Sequence, residues 1–536
     1  MQFRTVHLHI VIVVLTVVLS ALTFVPIIAR TVHTDSSRVE LFIHKYHQDY
    51  MQYLAGIVRG QHGLFWYKNP FSVPNPEPSA LYLLFPIIGG ISGLFNIWAP
   101  AAYHISRLIF IFFSVWATYA LSVAILKSVK WGSYATLVSI LVANPPAFFY
   151  NQTIAHVFKP WWDLLGITER FDGLPHHILA RGFQCLSLLY FLNYRSSKRF
   201  GYYIESSICA GICVFMAPQS VVPYCVIVGF CMVWDILKTF RKPEYSKLFY
   251  VFYSLLGLIV PGIALFVMDL ATHNPLWIAN RQWEVTYFGQ DRWTIYHLYI
   301  SYIALLIPAS IGAYIGIRRK DIVIIILTIW ILIPLVCAPI LPLVGLGGAR
   351  FDLQMNLFIP LSLLTVIAAR ALRSQIKYKN ILIPYMSILI IWASISAVTY
   401  SLEKWNEVFK ENLSTRIYAP KEYFELAQWV NMNVHPEQVV LASDEIGTLI
   451  VSQAPVFAYI GEQTHGSNWD LNTLLLEQFY SQKMTNVDAL DFLKKRDVSY
   501  VVEDPKYIWP LRDLTYPFLV KRWQNNQLGI YEVRYD

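Results

Sequence analysis

Apolar runs long enough to cross a lipid bilayer recur along the first 400 residues of this chain, and they constrain its fold more than any other feature. A helix needs roughly 20 apolar residues to cross a hydrocarbon core of about 30 Å, and unpaired backbone groups are too costly in lipid for irregular chain. Because 56% of the residues are hydrophobic and 14% are charged, the composition excludes a soluble fold. We predict a polytopic α-helical membrane protein with about 11 transmembrane helices. The predicted spans are residues 6–28, 104–126, 132–150, 177–193, 204–218, 220–237, 248–270, 297–317, 322–342, 354–372 and 380–399.

The positions of Lys and Arg predict how the chain is oriented in the membrane. The net charge is +8, but the basic residues cluster in short connections and form no stripe of the kind that binds nucleic acid. The positive-inside rule places these connections in the cytoplasm, together with the N-terminus. The loops between them and the tail after residue 400 are then extracytoplasmic. The basic connections are residues 127–130, 195–199, 238–247, 318–320 and 370–379.

The apolar segment from Leu81 to Trp98 does not fit this orientation as a full crossing. Counting it as a span would reverse every later helix, and it is short and interrupted by one proline and three glycines. We predict that it lies along the outer surface or dips into the membrane and returns, covered by protein. Residues 29–103 then form one large first extracytoplasmic loop, and residues 1–400 form the transmembrane domain.

The tail, residues 401–536, has more charged and amide side chains and no further spanning run. Its short apolar runs alternate with helical patterns, which predicts a small extracytoplasmic α/β domain with a partly parallel sheet. It contains no glycine-rich phosphate loop, so no nucleotide-binding role is expected. The predicted strands are residues 439–442, 500–502 and 529–533, and the predicted helices are residues 422–433, 470–482 and 487–496.

An acidic and aromatic stretch of the first loop contains the leading candidate for a catalytic base, Asp49. A carboxylate among side chains such as His47 and Tyr53 suits a base that deprotonates a sugar hydroxyl. The alternative interpretation is that Asp49 only caps or solvates the helix that follows it. Asp35 and Glu40 are rival bases, since both also follow the first helix, but neither has the same aromatic surroundings.

Two arginines are candidates for binding an anionic group. Arg350 lies in a glycine-rich loop, residues 345–352, where a planar guanidinium can clamp a phosphate while the glycines allow close backbone approach. Arg107 stands near the outer start of its helix. Either residue could instead reach toward lipid headgroups as a membrane anchor.

A third candidate group is the pair His176 and His177, which precedes a helix that also holds Arg181. These side chains could hold the donor or the acceptor substrate of a sugar transfer, or the two histidines could form a hydrogen-bonded structural pair. A metal site with Asp172 is possible but not indicated, because adjacent histidines do not easily ligate one ion and no third ligand stands at a fixed spacing. The six cysteines have no spacing that suits zinc or a disulfide framework. No cofactor is therefore assigned.

Several short stretches together resemble the GT-C superfamily of integral membrane glycosyltransferases, in particular the prokaryotic branch of RgtA/B/C/D-like and aminoarabinose-transferase-like proteins. The resemblance implies a polyprenyl-phosphate sugar donor, a lipid or glycan acceptor, an inverting displacement, and a first-loop aspartate as the base. It also implies a helix after that loop that need not span the membrane. The stretches are His47-Gln48-Asp49-Tyr50-Met51-Gln52-Tyr53, Asn69-Pro70-Phe71, Tyr103-His104-Ile105-Ser106-Arg107, Pro175-His176-His177, Arg350-Phe351 and Ile530-Tyr531-Glu532-Val533.

Two other functions remain alternatives to a glycosyltransferase. A transporter or flippase of lipid-linked saccharides should carry ionisable or glycine-broken sites near the bilayer midplane, often in two related halves. Here the charges gather at the outer rim and no repeat is apparent. A catalytically silent membrane scaffold would have Asp49 facing solvent with no cavity beside it.

Overall fold

The computed structural model describes most of the chain, and the residues it describes form two compact units. The helical unit comprises Met1–Val25, Arg107–Asp269 and Glu284–Asn406, and the loop–tail unit comprises Pro26–Ser106, Leu270–Trp283 and Glu407–Asp536. The described residues are 2–44, 46–71, 73, 77–142, 170–241, 245–271, 273, 302–340, 356–372, 384–395, 397–398, 402, 417–461, 469–504 and 514–535.

Helices dominate the described residues, and short strands occur only in the loop–tail unit. The helices are α1 (Gln2–Leu22), α2 (Val25–His33), α3 (His47–Gln61), α4 (Leu84–Gly93), α5 (Ala99–Leu126), α6 (Val129–Leu141), α7 (Pro175–Ser197), α8 (Phe200–Met216), α9 (Val222–Arg241), α10 (Tyr245–Ala271), α11 (Ile303–Arg318), α12 (Ile322–Ile340), α13 (Phe358–Leu372), α14 (Pro384–Ile395), α15 (Lys421–Asn433), α16 (Asp444–Val451), α17 (Trp469–Tyr480) and α18 (Asn486–Lys494). The strands are β1 (Arg38–Glu40), β2 (Tyr67–Lys68), β3 (Pro78–Ser79), β4 (Tyr418–Pro420), β5 (Val439–Leu441), β6 (Phe457–Ala458), β7 (Val498–Val502), β8 (Leu519–Gln524) and β9 (Gly529–Val533).

The helices fall where the apolar runs predict them, but the count of 11 crossings is not confirmed. Within the described part of the chain, 3 helical segments are long and apolar enough to cross a membrane, namely Val6–His33, which covers most of α1 and all of α2, Ala99–Leu126 and Pro218–Lys238. Shorter apolar helical stretches among the described residues have 10–17 residues, for example Gly257–Ala271 within α10 and Ile322–Val336 within α12. The predicted first helix is interrupted by a turn at Thr23 and Phe24, where the Thr23 hydroxyl donates to the Ser20 carbonyl at 2.7 Å.

Side chains from five described helices, including Ala393 of α14, form a buried core cluster in the helical unit. Ile12 of α1, Ile111 of α5, Leu137 of α6 and Ile178 of α7 pack into one buried cluster. Other apolar side chains of α1 and α5, including Val13, remain exposed. Exposed apolar surface along a long helix is costly in water but not in lipid, as the membrane prediction requires.

The tail contains the mixed sheet that the sequence predicts. Its strand order is β6-β5-β7-β9-β8, with β5 parallel to β6 and β7, and with β9 antiparallel to β7 and β8. Leu441, Phe479, Leu493 and Val501 are fully buried between the sheet and helices α17 and α18. This sheet therefore has its own hydrophobic core.

A separate two-stranded ladder joins the first loop to the tail within the loop–tail unit. Strand β1 pairs antiparallel with β4, so that Arg38 opposes Pro420 and Glu40 opposes Tyr418. The pairing explains why residues 26–106 group with the tail. The predicted domain boundary at residue 400 lies outside the described residues.

Helices α3 and α4 approach each other closely because glycines face the contact. A Cβ atom on Gly60 would lie 2.0 Å from the Pro86 carbonyl oxygen, and one on Gly89 would lie 2.0 Å from the Ile57 carbonyl oxygen. Each helix has a second glycine at the contact, four residues from the first: Gly56 on α3 and Gly93 on α4. Small residues at this spacing let two helix backbones approach closely. Helix α4 has 10 residues, so it extends about 15 Å. That is half of the hydrocarbon thickness, as the sequence predicts for a segment that does not span.

Candidate functional site

Asp49 lies in the first turn of α3, the long buried helix of the first loop. Tyr46 precedes the helix with a φ of 48°, a left-handed conformation that turns the chain into it. The N-cap residue Tyr46 makes no side-chain capping hydrogen bond, and the backbone N–H groups of a first helical turn and the helix dipole favour a negative charge near them. Asp49 is half-buried, and His47, the first residue of α3, is half-buried as well. The carboxylate is therefore held on a rigid element and remains partly accessible.

Aromatic side chains pack closely along this end of α3. Tyr53 is buried and stacks on Phe85 with ring centroids 4.2 Å apart. Tyr50 meets Tyr103 edge-to-face at 4.9 Å, and His44 Nδ1 lies 3.1 Å from the Tyr103 hydroxyl. This wall fixes the position of the helix that carries the candidate base.

Burial, together with the nearby Asp49, keeps the Tyr53 phenol neutral. Burial raises the pKa of Tyr53 well above its usual value, and the negative charge of Asp49 raises it further. A neutral phenol can still donate a hydrogen bond. Tyr53 is thus a neutral, buried member of the aromatic wall beside Asp49.

Asp35, the rival base, occupies an exposed turn between α2 and β1. Its carboxylate accepts a hydrogen bond from the Ser37 backbone N–H at 2.8 Å and another from the Ser37 hydroxyl. These hydrogen bonds lower the pKa of Asp35. Arg38 Nε lies 3.9 Å from the same carboxylate. The arrangement is typical of an aspartate that stabilises a turn.

Arg107, predicted to bind an anionic group, forms a buried ion pair in the helical unit. Its Nη1 lies 3.0 Å from Asp172 Oδ1, and the two side chains are 0% and 3% exposed. The guanidinium also lies 4.7 Å from the centre of the Phe24 ring. Removing either partner would leave a buried charge, which is strongly destabilising.

Two further buried arginines flank the ring of Phe358 in the same unit. The guanidinium carbon of Arg170 lies 4.8 Å from the ring centre and that of Arg181 lies 5.3 Å from it. Arg170 donates to the carbonyls at the end of α6, including that of Ile140 at 2.9 Å. Arg181 Nε donates to Asn356 Oδ1 at 3.1 Å. Both residues thus stabilise loop and helix ends as well as carrying positive charge.

A small cavity lies beside Arg170 and Arg181. Its volume is about 20 Å³, and hydroxyl side chains such as Thr118 and Ser139 line it together with the two arginines. One Arg181 nitrogen, Nη2, is buried without a hydrogen-bond partner among the described residues. A cavity of this size has room for about one water molecule. It is too small for a sugar.

His176 and His177 begin helix α7 directly after Pro175, which occupies the first helical position. Their ring centroids are 4.1 Å apart. Within the described residues, no group of three His, Cys, Asp or Glu side chains could hold a metal ion. Arg350, the predicted phosphate clamp, lies outside the described residues. The structure thus groups His176, His177, Arg181 and Arg107 within the helical unit, and Asp49, His47 and Tyr53 on α3 of the loop–tail unit.

Sequence reasoning missed one charged cluster, at the C-terminal end of α3. Glu437 Oε1 accepts from Arg59 Nη2 at 2.6 Å and from Lys68 Nζ at 2.8 Å. Burial opposes ionisation of Glu437, but the hydrogen bonds from Lys68 and Arg59 outweigh it and lower its pKa. Arg59 and Glu437 are separated by 378 residues. No spacing rule connects residues so far apart. The available sequence signal was an arginine, Arg59, within an otherwise apolar stretch of a predicted helix.

Comparisons with known proteins identify the fold. No protein-family model matches the sequence, and no curated protein matches it. Among solved structures, ArnT from Cupriavidus metallidurans bound to undecaprenyl phosphate is 11% identical, with a TM-score of 0.50 over 97% of each chain. The chain has the GT-C fold.

Two other solved structures share the GT-C fold with this chain. The archaeal oligosaccharyltransferase AglB from Archaeoglobus fulgidus, in complex with an inhibitory peptide and a dolichol-phosphate, is 12% identical with a TM-score of 0.50 over 92% of this chain and 69% of its own. The arabinofuranosyltransferase AftD from Mycobacteria is 12% identical with a TM-score of 0.53 over 98% of this chain, which spans 40% of AftD. The likeness to these structures confirms the fold that the sequence motifs predict.

Proposed function

We propose that this protein is a membrane glycosyltransferase that transfers a sugar from a polyprenyl-phosphate-linked donor to an extracytoplasmic lipid or glycan acceptor. The observation that carries the proposal is the GT-C fold, shared along 97% of both chains with ArnT bound to undecaprenyl phosphate. A half-buried carboxylate at the start of a rigid, aromatic-walled helix adds independent support.

In the proposed reaction, Asp49 accepts the proton of the acceptor hydroxyl as its oxygen attacks the anomeric carbon. The bond from that carbon to the phosphate oxygen breaks on the opposite face, so the sugar is inverted and the lipid phosphate leaves with the bonding electrons. Tyr53 and His47 hold the acceptor beside the base. Asp35 is the alternative base, although its turn-forming hydrogen bonds make it less suited to that role.

Cationic side chains stabilise the leaving phosphate in this proposal. Arg350 is the proposed clamp, with Arg107, Arg181 and the histidines His176 and His177 supporting the donor. A guanidinium binds phosphate through two parallel hydrogen bonds. Because Arg107 is paired with Asp172, we assign it a part in shaping the donor site.

The proposed topology places the N-terminus in the cytoplasm and the tail outside. The chain is then a multi-pass protein of the cell membrane whose partners are the lipid-linked donor, the acceptor and membrane lipids. The basic connections between the helices support this orientation. Cysteine labelling of intact cells at single positions in the tail tests it directly.

The decisive experiment incubates purified protein with labelled polyprenyl-phosphate sugars and a panel of lipid and glycan acceptors. We expect Asp49→Asn to lower turnover by about 10²- to 10⁴-fold, because it removes a general base. Asp35→Asn separates the two candidate bases, and Glu532→Gln, on the partly exposed face of strand β9 far along the chain from α3, serves as the matched carboxylate control. Wild-type turnover in Asp49→Asn would exclude Asp49 as the base, and no transfer by wild-type protein to any acceptor would refute the proposal.

A further inference from the structure

We propose that Glu437 of the tail is a positioning residue for Asp49, acting through Arg59 and helix α3. The inference rests on the proposed function, in which Asp49 is the base. Arg59 and Asp49 belong to one helix, and Glu437 binds that helix at the end opposite Asp49. The tail would thereby hold the base in place.

The contact between Glu437 and Arg59 is short, with the Arg59 side chain buried and the Glu437 side chain partly exposed. Arg59 Nη2 donates to Glu437 Oε1 at 2.6 Å, and the Arg59 side chain is 2% exposed. Within the described part of the chain, the other two side-chain nitrogens of Arg59 have no hydrogen-bond partner. The guanidinium also lies 5.1 Å from the centre of the Phe457 ring of β6. The buried charge of Arg59 therefore depends on Glu437 for its compensation.

The backbone at Glu437 indicates that its side chain is needed. Glu437 has a φ of 69°, in the left-handed region that favours glycine and asparagine. It lies in the turn between α15 and β5, where its N–H donates to the Pro455 carbonyl at 2.8 Å. Unfavourable backbone conformations tend to persist where the residue serves a function. Here the carboxylate that reaches Arg59 and Lys68 is that function.

Packing around α3 makes the helix able to transmit this restraint. All residues from Tyr50 to Gly60 are buried, and Ala55 packs with Phe71 and with Val451 and Ala458 of the tail. The ten residues from Asp49 to Arg59 extend about 15 Å along the axis, so a tilt of about 5° moves one end by about 1.3 Å relative to the other. A misplacement on the order of 1 Å at a reacting group can lower a rate 10²-fold.

A double-mutant cycle on turnover tests the coupling. We expect Glu437→Gln, Arg59→Met and the double variant each to lower kcat about 10- to 100-fold with KM for the acceptor changed less than about twofold. The losses should not add, because both changes break the same contact. Glu437→Asp, which keeps the charge, should recover kcat to within about threefold of wild type. Glu437→Gln leaves the Arg59 charge buried and uncompensated, which can unfold the protein. The test therefore relies on Arg59→Met and the double variant, which contain no such charge and should remain folded.

Hydrogen exchange provides a readout that does not depend on catalysis. Amides at the start of α3, residues 47–53, should exchange about tenfold faster or more in Arg59→Met/Glu437→Gln, while Glu532→Gln leaves them unchanged. A folded double variant with wild-type exchange and wild-type kcat would overturn the proposal. If exchange increases while Asp49→Asn retains full turnover, the contact positions α3 but Asp49 is not the base, so the two failures are distinguishable.

Discussion

A methyl group added at Gly89 tests the closest helix contact in the loop–tail unit. In Gly89→Ala the new Cβ would lie 2.0 Å from the Ile57 carbonyl oxygen and 2.9 Å from the Gly60 Cα, both backbone atoms of α3. Ordinary contact begins at 3.4 Å, so α3 and α4 must separate by about 1.4 Å. Backbone cannot yield as a flexible side chain can, which places the cost near the upper end of about 1–3 kcal/mol for overpacking.

Helix propensity partly offsets this cost. Replacing glycine by alanine within a helix gains about 1 kcal/mol, so the expected net loss for Gly89→Ala is about 2 kcal/mol. Gly229 is the matched control, because it also lies inside a helix but no described atom lies within 4 Å of the place that a new methyl group would occupy. Gly229→Ala should be neutral or stabilise the protein by up to about 1 kcal/mol.

Thermal unfolding in detergent, followed by tryptophan fluorescence, measures both variants. Gly89→Ala should unfold at a lower temperature than wild type, and Gly229→Ala at the same or a higher temperature. Equal midpoints for the two variants would refute the packing described for α3 and α4.

Single substitution of Arg107 or Asp172 should destabilise the helical unit by about 3–5 kcal/mol, and Arg107→Leu/Asp172→Leu should recover most of that loss; thermal midpoints for the two single variants and the double variant check this. The pKa of Glu437 is lowered from 4.5 in the folded protein, so its contribution to stability is complete above about pH 4.5 and is lost as the pH falls through the lowered value. Urea unfolding between pH 3 and pH 7 should show this loss in wild type and not in Glu437→Gln, and the difference should shrink in high salt because the Glu437 side chain is 34% exposed. Ser443→Ala should cost about 1 kcal/mol in the same urea assay, because the Ser443 hydroxyl caps α16 by accepting from the Ile446 N–H at 3.4 Å.

Local patterns predicted much of this fold. Apolar runs located most helices of the helical unit, and the short strand Val439–Leu441 followed from its apolar composition, but helix α16 (Asp444–Val451) was not predicted. The turn at Thr23 escaped prediction because its residues are as compatible with a helix as their neighbours. Gly89 was recognised only as an interruption, whereas in the structure it permits two backbones to touch. A hydropathy pattern predicts which residues are buried, but it does not show which neighbouring backbone or side chain a small residue packs against.

The candidate site was predictable only in part, because its contacts join distant positions. Asp49 could be chosen from its aromatic neighbours in sequence, and those neighbours do pack along its helix. The pairing of Arg107 with Asp172 spans 65 residues, and that of Arg59 with Glu437 spans 378. Such pairs leave no periodic trace in one sequence. They arise from the tertiary fold, which brings each of these buried arginines next to a carboxylate of opposite charge.

The ladder between β1 and β4 has a consequence for biosynthesis. Strand β1 leaves the ribosome long before its partner, because about 380 residues separate them and translation proceeds at about 5–20 residues per second. Its unsatisfied hydrogen-bonding groups must then wait for roughly 20–80 s before β4 is made. During that interval the nascent first loop presents an open strand edge, which is a template for wrong pairing. Proteins that shield nascent chain segments should therefore affect the yield of this chain more than that of a protein whose loops fold locally.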